Sequence, residues 1–265
     1  CYFISFIIYV IPISLTILMI MGVYIAVYIC LPANRAKVAS NIFNIISMWN
    51  NEGSNSDNST NDNTENIDMS NKRIVIDSGH GGIDPGKKSD DGILEKDVNL
   101  AIAFKLKKRL EAAGISVTMT RSDENGLYQE SDSNKKIADM KKRCSIIEES
   151  NANAVISIHQ NSFQSSSVKG AQVFYYKHSA QGKLLAECIQ NSFKQNIDET
   201  NKREAKADTT YYMLIHTKVP TVIAECGFLS NPEEAQLLVT EEYQEKVALA
   251  LYNGIIDYLM HTGME

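Results

Sequence analysis

The sequence predicts an α/β domain, a single layered unit with a mainly parallel sheet flanked by helices, preceded by a transmembrane helix. From residue 72 onward, short apolar runs alternate with amphipathic stretches, as is typical of βαβ units. Residues 1–31 carry no charge, and a helix of that length exceeds the ~30 Å hydrocarbon core of a bilayer. Residues 51–71 are almost entirely polar, which indicates a flexible spacer.

We therefore expect three regions: a transmembrane or uncleaved signal segment (1–31), a juxtamembrane segment with a flexible polar linker (32–71), and a catalytic domain (72–265). Arg35 and Lys37 are the nearest charges behind the apolar segment. By the positive-inside rule they favour a cytoplasmic side for the residues C-terminal to that segment. The orientation of the anchor is left open by the sequence.

The alternating pattern divides the domain into elements. Strands are predicted at 73–77, 116–121, 154–159, 171–176, 211–216 and 221–226, and helices at 96–113, 135–149, 180–197 and 241–260. The first helix carries an apolar residue at every fourth position, namely Val98, Ile102, Leu106 and Leu110. Such spacing gives a helix one apolar face that packs on a sheet.

Charge and cysteine content exclude several classes of protein. The formal net charge is −6 and the pI is about 5.5, so the broad basic surface that binds nucleic acid is not expected. The five cysteines lie far apart and form no CxxC pair. They predict neither a disulfide framework nor a cysteine-rich zinc site.

Four polar residues are predicted to meet at one edge of the sheet. His80 follows the first strand, His159 ends the strand 154–159, and Glu225 ends the strand 221–226. Glu95 opens the first long helix, which begins at the edge where its preceding strand finished. Ligands of open α/β sheets bind at the carboxyl ends of the strands.

Two imidazoles and one carboxylate, with water as a fourth ligand, form the open site of a hydrolytic Zn²⁺. One carboxylate is then left over to carry a proton, and an amide is the substrate that suits such a site. Gly79, Gly81 and Gly82 surround His80 and allow the backbone to turn sharply there.

Each of these residues also has a simpler interpretation. His80 suits a turn, His159 suits a core histidine, and Glu95 suits the positive end of a helix dipole. Glu225 is harder to explain this way, because an unpaired buried carboxylate is costly. It is the shared placement of the four that favours a metal site.

Two competing motifs are weak. Residues 81–88 read GGIDPGKK, which resembles a phosphate-binding loop, but Lys88 stands where that loop has Ser or Thr. A nucleophile at Cys226 is disfavoured because alternation along a strand turns it away from Glu225.

Six segments together resemble the zinc-dependent N-acetylmuramoyl-L-alanine amidases: VIDSGHGGIDPG, LEKDVNLAIA, MTRSD, SIHQNS, KGAQVFYY and VIAECGFLSNPEEAQLL. The resemblance covers about residues 72–259. It implies that His80, Glu95 and His159 bind zinc and that Glu225 is catalytic. Arg121, Asn161 and Asn231 lie near the same edge and suit either substrate contacts or loop support.

Within this family the chain looks most like the germination-specific (CwlD-type) amidases of spore-forming bacteria. That resemblance implies cortex peptidoglycan as substrate, a step toward muramic-δ-lactam, a deacetylase in the same pathway and a lipoprotein activator. It also implies a membrane-anchored enzyme whose catalytic domain is extracytoplasmic. Gln160, Ile215 and His216 depart from the family pattern, which leaves the substrate contacts open. A partner-activated or idle wall-binding protein, or a zinc hydrolase of another amide, is the alternative.

Overall fold

The computed structural model describes residues 69–263, in which a single sheet carries helices on both faces. The strands are β1 Arg73–Ser78, β2 Ser116–Met119, β3 Ala154–Asn161, β4 Gln172–Tyr176, β5 Lys206–Asp208 and β6 Thr221–Phe228. The helices are α1 Glu95–Ala112, α2 Lys135–Glu149, α3 Ala180–Asn196, α4 Tyr212–His216, α5 Pro232–Leu238 and α6 Glu241–Thr262.

The predicted membrane segment 1–31 and nearly all of the linker 32–71 lie outside the described residues. Among the helices of residues 69–263, none has the length and apolar character needed to cross a bilayer. Met69 packs against the core of the domain. The packed region thus includes Met69, three positions before the predicted boundary at residue 72.

The sheet has the order β2-β1-β3-β6-β4-β5. The first four strands in this order run parallel, whereas β4 is antiparallel to β6, and β5 runs parallel to β4. The sheet is therefore mixed, with a parallel portion that holds β1, β3 and β6. A parallel return needs a long crossover, usually a helix. Residues 162–171 join β3 to β4 without a helix, so β4 runs in the opposite direction to β3.

Alternation along the strands separates two faces of the sheet. Ile74, Ile76 and Ile156 belong to the main core, which also takes in residues of α1, α3 and α6. Val75 and Val155 point the other way, into a smaller cluster with side chains of α2 and α4. The second face is thus covered more thinly than the first.

Most predicted elements are confirmed, and the apolar face of α1 is buried as expected. The strand predicted at 211–216 is wrong, because the short helix α4 occupies this stretch. Asp208 Oδ1 accepts hydrogen bonds from the backbone N–H groups of Thr210 and Tyr211, a turn that leads into the helix. The short elements β5 and α5 were not predicted.

A buried ion pair joins the end of β1 to α2. Arg143 Nη1 lies 2.7 Å from Asp77 Oδ1, and both side chains are 1% exposed. Ser157 and Thr120 also donate to the Asp77 carboxylate. Burial by itself raises the pKa of Asp77, but Arg143 and these hydroxyl groups hold that pKa below its usual value. Arg143 also donates to the carbonyl groups of Ser78 and His80, so it fixes the chain where β1 ends.

Replacing Arg143 with methionine should lower the free energy of unfolding by about 3–5 kcal/mol, because the substitution leaves the Asp77 charge buried without its partner. Urea denaturation followed by circular dichroism measures this change. Lys142→Met is the matched control: Lys142 is exposed on the same helix, so its replacement should change stability by less than about 0.5 kcal/mol. Equal stabilities of the two variants would contradict this role of Arg143.

Candidate metal centre

One oxygen atom of Glu95 lies at the meeting point of the site. Oε1 is 3.1 Å from His80 Nε2 and 2.9 Å from His159 Nδ1. The two imidazole rings meet edge to face, with centroids 4.9 Å apart. The three residues predicted to share a metal are therefore brought together from the loop after β1, from α1 and from β3.

His80 is held in an uncommon backbone conformation. Its φ is 61°, in the left-handed region that non-glycine residues seldom adopt. Two buried arginines bind the carbonyl groups around it: Arg143 binds those of Ser78 and His80, and Arg121 binds those of Ser78 and Gly79. These hydrogen bonds keep the strained turn in place.

The His80 ring is oriented by a second carboxylate. Asp84 Oδ2 lies 3.1 Å from His80 Nδ1, so Nε2 is the ring nitrogen that faces Glu95. Metal-binding histidines commonly use their other ring nitrogen in this way. Asp84 is therefore a supporting residue of the site, and it was not predicted from the sequence.

Two glycines make room for the side chains of His159 and Glu95. A Cβ atom on Gly79 would lie 2.3 Å from His159 Cε1, and one on Gly86 would lie 2.5 Å from Glu95 Oε2. Such distances are far inside van der Waals contact, so the backbone must pass these side chains without a Cβ. Gly79 was predicted as a member of the turn, whereas Gly86 was not identified.

Glu95 is the first residue of α1, but its side chain does not cap that helix. The loop before the helix supplies the cap, since the N–H groups of Glu95 and Lys96 donate to the carbonyl groups of Lys87 and Pro85. The carboxylate accepts from the N–H groups of Lys87 and Gln160. Burial raises the pKa of Glu95, but hydrogen bonds from His159 and His80 outweigh it, so the pKa lies well below its usual value.

Gln160, which departs from the family pattern, faces away from the cleft. Its Nε2 donates to Asn99 Oδ1 on α1, and the side chain is buried. Asn99 in turn donates to the carbonyl group of Gly79. His159 and Gln160 point to opposite faces of β3. Gln160 therefore supports the candidate site from the core side of the sheet.

Glu225 lies directly across the β3–β6 pair from His159. Its side chain is buried, and Oε2 has no hydrogen-bond partner among the described residues. Burial raises the pKa of Glu225 to about 7, although the charges of His159 and His80 and the Tyr211 hydroxyl group act against this rise. A buried carboxylate with a free oxygen beside two imidazoles is what proton transfer requires.

A cleft of about 290 Å³ opens beside the two histidines, on the thinly covered face of the sheet. His80 and His159 line it together with Ile83, Met140 of α2, Tyr211 and Tyr212. Ile83 is 63% exposed, so an apolar side chain lies at the mouth of the cleft. The centre is thus accessible to a large substrate from one side.

The donor atoms of this site fit a metal ion. One ligand atom each from His80, Glu95 and His159 lies within 4.8 Å of the others, and Cys188, Asp257 and His261 form a second such group between α3 and α6. The first group contributes His80 and His159 to the lining of the cleft, and His159 lies across the β3–β6 pair from Glu225, whose Oε2 has no hydrogen-bond partner among the described residues. Two imidazoles and one carboxylate are also the donor set of hydrolytic zinc sites.

Two further sequence candidates, Asn231 and Cys226, have structural roles. Asn231 Oδ1 accepts from the Glu234 N–H group at the start of α5. The thiol of Cys226 is buried in the main core, as strand alternation predicted. The loop 81–88 is not followed directly by a helix, because α1 begins only at Glu95; this excludes the geometry of a phosphate-binding loop.

Comparison with known proteins identifies the family of the chain. Residues 74–257 match the N-acetylmuramoyl-L-alanine amidase family. The germination-specific N-acetylmuramoyl-L-alanine amidase of Bacillus subtilis (strain 168) is 38% identical over 200 residues, which cover 74% of this chain and 84% of the relative.

Two solved structures share the fold. The CwlD amidase of Clostridioides difficile, determined in complex with the GerS lipoprotein, is 46% identical with a TM-score of 0.70, covering 72% of this chain and all (100%) of that chain. The catalytic domain of CwlV, an N-acetylmuramoyl-L-alanine amidase from Bacillus (Paenibacillus) polymyxa, is 30% identical with a TM-score of 0.60. That match covers 71% of this chain and 98% of that chain.

Replacing His159 with alanine should empty the metal centre, because only two protein donors remain. Elemental analysis of the dialysed protein measures the bound zinc. Cys188→Ser is the control, since it alters the second group of donor atoms and should leave the zinc content unchanged. Zinc retained at one equivalent by His159→Ala, but lost from Cys188→Ser, would show that the ligands are assigned to the wrong cluster.

Proposed function

The chain belongs to the N-acetylmuramoyl-L-alanine amidase family, and from this premise we propose a zinc-dependent mechanism in which His80, Glu95 and His159 hold the ion and Glu225 transfers protons. The reaction hydrolyses the amide bond between N-acetylmuramic acid and L-alanine in peptidoglycan. One observation carries the assignment of roles: the imidazoles of His80 and His159 converge on Glu95 Oε1, while the Glu225 carboxyl, across the strand pair from His159, keeps Oε2 unpartnered among the described residues.

Further hydrogen bonds orient two of the three proposed ligands. Asp84 orients His80, and the N–H groups of Lys87 and Gln160 orient Glu95. When bound, a zinc ion supplies the Lewis acidity that polarises the scissile carbonyl group and makes water a stronger acid. The backbone around His80 does not need to rearrange for this, because Arg121 and Arg143 already fix it.

Glu225 then moves the proton. Its Oε2 takes a proton from the attacking water as oxygen bonds to the carbonyl carbon, and delivers that proton to the amide nitrogen as the C–N bond breaks. The products are a lactyl carboxylate on muramic acid and a free amino group on L-alanine. Burial supports this role, because it brings the pKa of Glu225 to about 7, close to the value at which a carboxylate both accepts and returns a proton near neutral pH.

We place the substrate in the spore cortex, where peptide removal is a step toward muramic-δ-lactam and a deacetylase acts in the same pathway. The germination-specific name of the Bacillus subtilis relative supports this placement. The lipoprotein complex of the CwlD amidase supports a lipoprotein partner. Anchoring by residues 1–31, with the domain on the extracytoplasmic side where peptidoglycan lies, completes the proposal.

Replacing Glu225 with glutamine should separate metal binding from chemistry. Glutamine keeps the shape of the side chain but cannot accept a proton, so zinc should remain bound while amide cleavage falls by about 10²–10⁴-fold. Mass spectrometry of muropeptides measures the cleavage through the two new end groups. Glu233→Gln is the matched control, because that carboxylate is 81% exposed on α5 and its loss should not alter the rate.

Cleavage by Glu225→Gln at the wild-type rate, or loss of its zinc, would overturn the role of Glu225. Running the wild-type assay on cortex and on vegetative peptidoglycan, each with and without the lipoprotein, tests the finer assignments. Equal rates on both walls would argue against cortex specificity. Rates that do not respond to the lipoprotein would argue against an activating partner.

A further inference from the structure

A second groove, which we call the β4–β5 groove, lies beyond Tyr211 from the metal cleft. It has a volume of about 500 Å³. Tyr211 lines both spaces. The other side chains that characterise the groove are three aromatic and two cationic ones: Phe163, Phe174, Phe228, Arg203 and Lys206.

This groove begins close to Glu225. Gln172 of β4 is the direct partner of Glu225 in the antiparallel β4–β6 pair, and opposed residues of such a pair share a face with Cβ atoms about 5 Å apart. Arg203 Nη1 lies 3.3 Å from Gln172 Oε1. Gln172 therefore lies beside Glu225 in the sheet and bonds to the Arg203 guanidinium group.

Within residues 69–263, the two cations of the groove form no close ion pair with an acidic side chain. Arg203 lies over the Phe228 ring at 4.8 Å from its centroid, and Lys206 Nζ lies 5.8 Å from that of Phe174. Among the described residues, neither has a carboxylate within ion-pair distance. Asp208, which also lines the groove, already accepts the N–H groups of the turn before α4.

The metal cleft has the opposite character. Its two lysines are both paired with carboxylates, Lys135 with Glu130 and Lys136 with Asp84. The two lysines of the metal cleft thus have carboxylates within ion-pair distance, whereas Arg203 and Lys206 of the groove have none among the described residues.

We propose that the β4–β5 groove binds the peptide half of the substrate and that Arg203 and Lys206 bind carboxylates of the stem peptide. This inference rests on the proposed function, since the scissile amide joins a sugar to a peptide. The glycan of N-acetylated sugars is uncharged, whereas the stem peptide carries carboxylates at its glutamyl residue and at its C-terminus. Only the peptide half therefore matches two cations that lack a carboxylate partner. Phe163, which is 58% exposed, provides an apolar surface for the apolar side chains of the peptide.

The test compares two disaccharide-tetrapeptides, one with a free glutamyl α-carboxylate and one with that group amidated. Wild type should cleave the amidated substrate with a kcat/KM about tenfold lower, through KM, as loss of one charged hydrogen bond predicts. Arg203→Gln combined with Lys206→Gln should cleave both substrates equally, at a kcat/KM no higher than that of wild type on the amidated substrate and with unchanged kcat. Arg203→Lys should restore some of the discrimination, and Lys202→Gln, an exposed neighbour outside the groove, should behave as wild type.

Binding of the released tetrapeptide is measured by calorimetry and does not depend on cleavage. This measurement therefore tests the peptide groove independently of the proposed amidase function. The double variant should bind this peptide at least about tenfold more weakly than wild type. Unchanged peptide binding, or a double variant that still discriminates between the substrates, would overturn the peptide groove while leaving the amidase intact. Peptide binding by a wild type that cleaves neither substrate, with or without the lipoprotein, would support the groove and contradict the proposed function.

Discussion

The buried carboxylate of Glu95 is the group on which the arrangement of this site depends. Its Oε1 lies about equally far from one ring nitrogen of His80 and one of His159. A carboxylate in so dry a position is costly unless it is fully hydrogen-bonded. The N–H groups of Lys87 and Gln160 supply the further bonds. The Glu95 carboxylate thereby connects the start of α1 with strand β3 and with the loop after β1.

The strand register determines on which face of the sheet each side chain of the site lies. Alternation along β3 and β6 directs His159 and Glu225 to the thinly covered face, where the cleft opens, and Gln160 and Cys226 toward the thick core. The support on the core side comes from Asn99, and the support at the end of β1 comes from Arg121 and Arg143. Burial lowers the pKa of Arg121 to about 10, still well above neutral pH. A rigid centre and an accessible face thus follow from a single strand register.

The sequence predicted the four central residues because strand ends and strand direction alone determine their positions. His80 follows β1, and His159 and Glu225 lie near the carboxyl ends of the parallel strands β3 and β6. Glu95 opens a crossover helix, so the shared edge of the sheet was determined once these three strands were recognised. The direction of β4 was not predicted, since it depends on a loop that lacks a helix. The stretch Tyr212–His216 was assigned to a strand because five residues give too short a pattern to distinguish the two periods.

The supporting residues were missed for a different reason. Arg143 lies 66 positions from Asp77, and nothing local in either segment indicates the pairing. Asp84 lies four residues after His80, a spacing that carries meaning in a helix but not in the loop where it occurs. Tyr211, Arg203 and Lys206 come from segments that approach the centre only because β4 and β5 extend the sheet beyond β6. Contacts of this kind are set by tertiary packing and not by a sequence pattern.

The assignment of three ligands and one separate proton carrier can be tested most directly by X-ray diffraction from zinc-containing crystals, with anomalous data collected on both sides of the zinc absorption edge. We predict one strong anomalous peak within coordination distance of His80 Nε2, the Glu95 carboxylate and a ring nitrogen of His159, with Glu225 uncoordinated. A peak coordinated by Glu225 in place of Glu95, or found only between Cys188, Asp257 and His261, would contradict it.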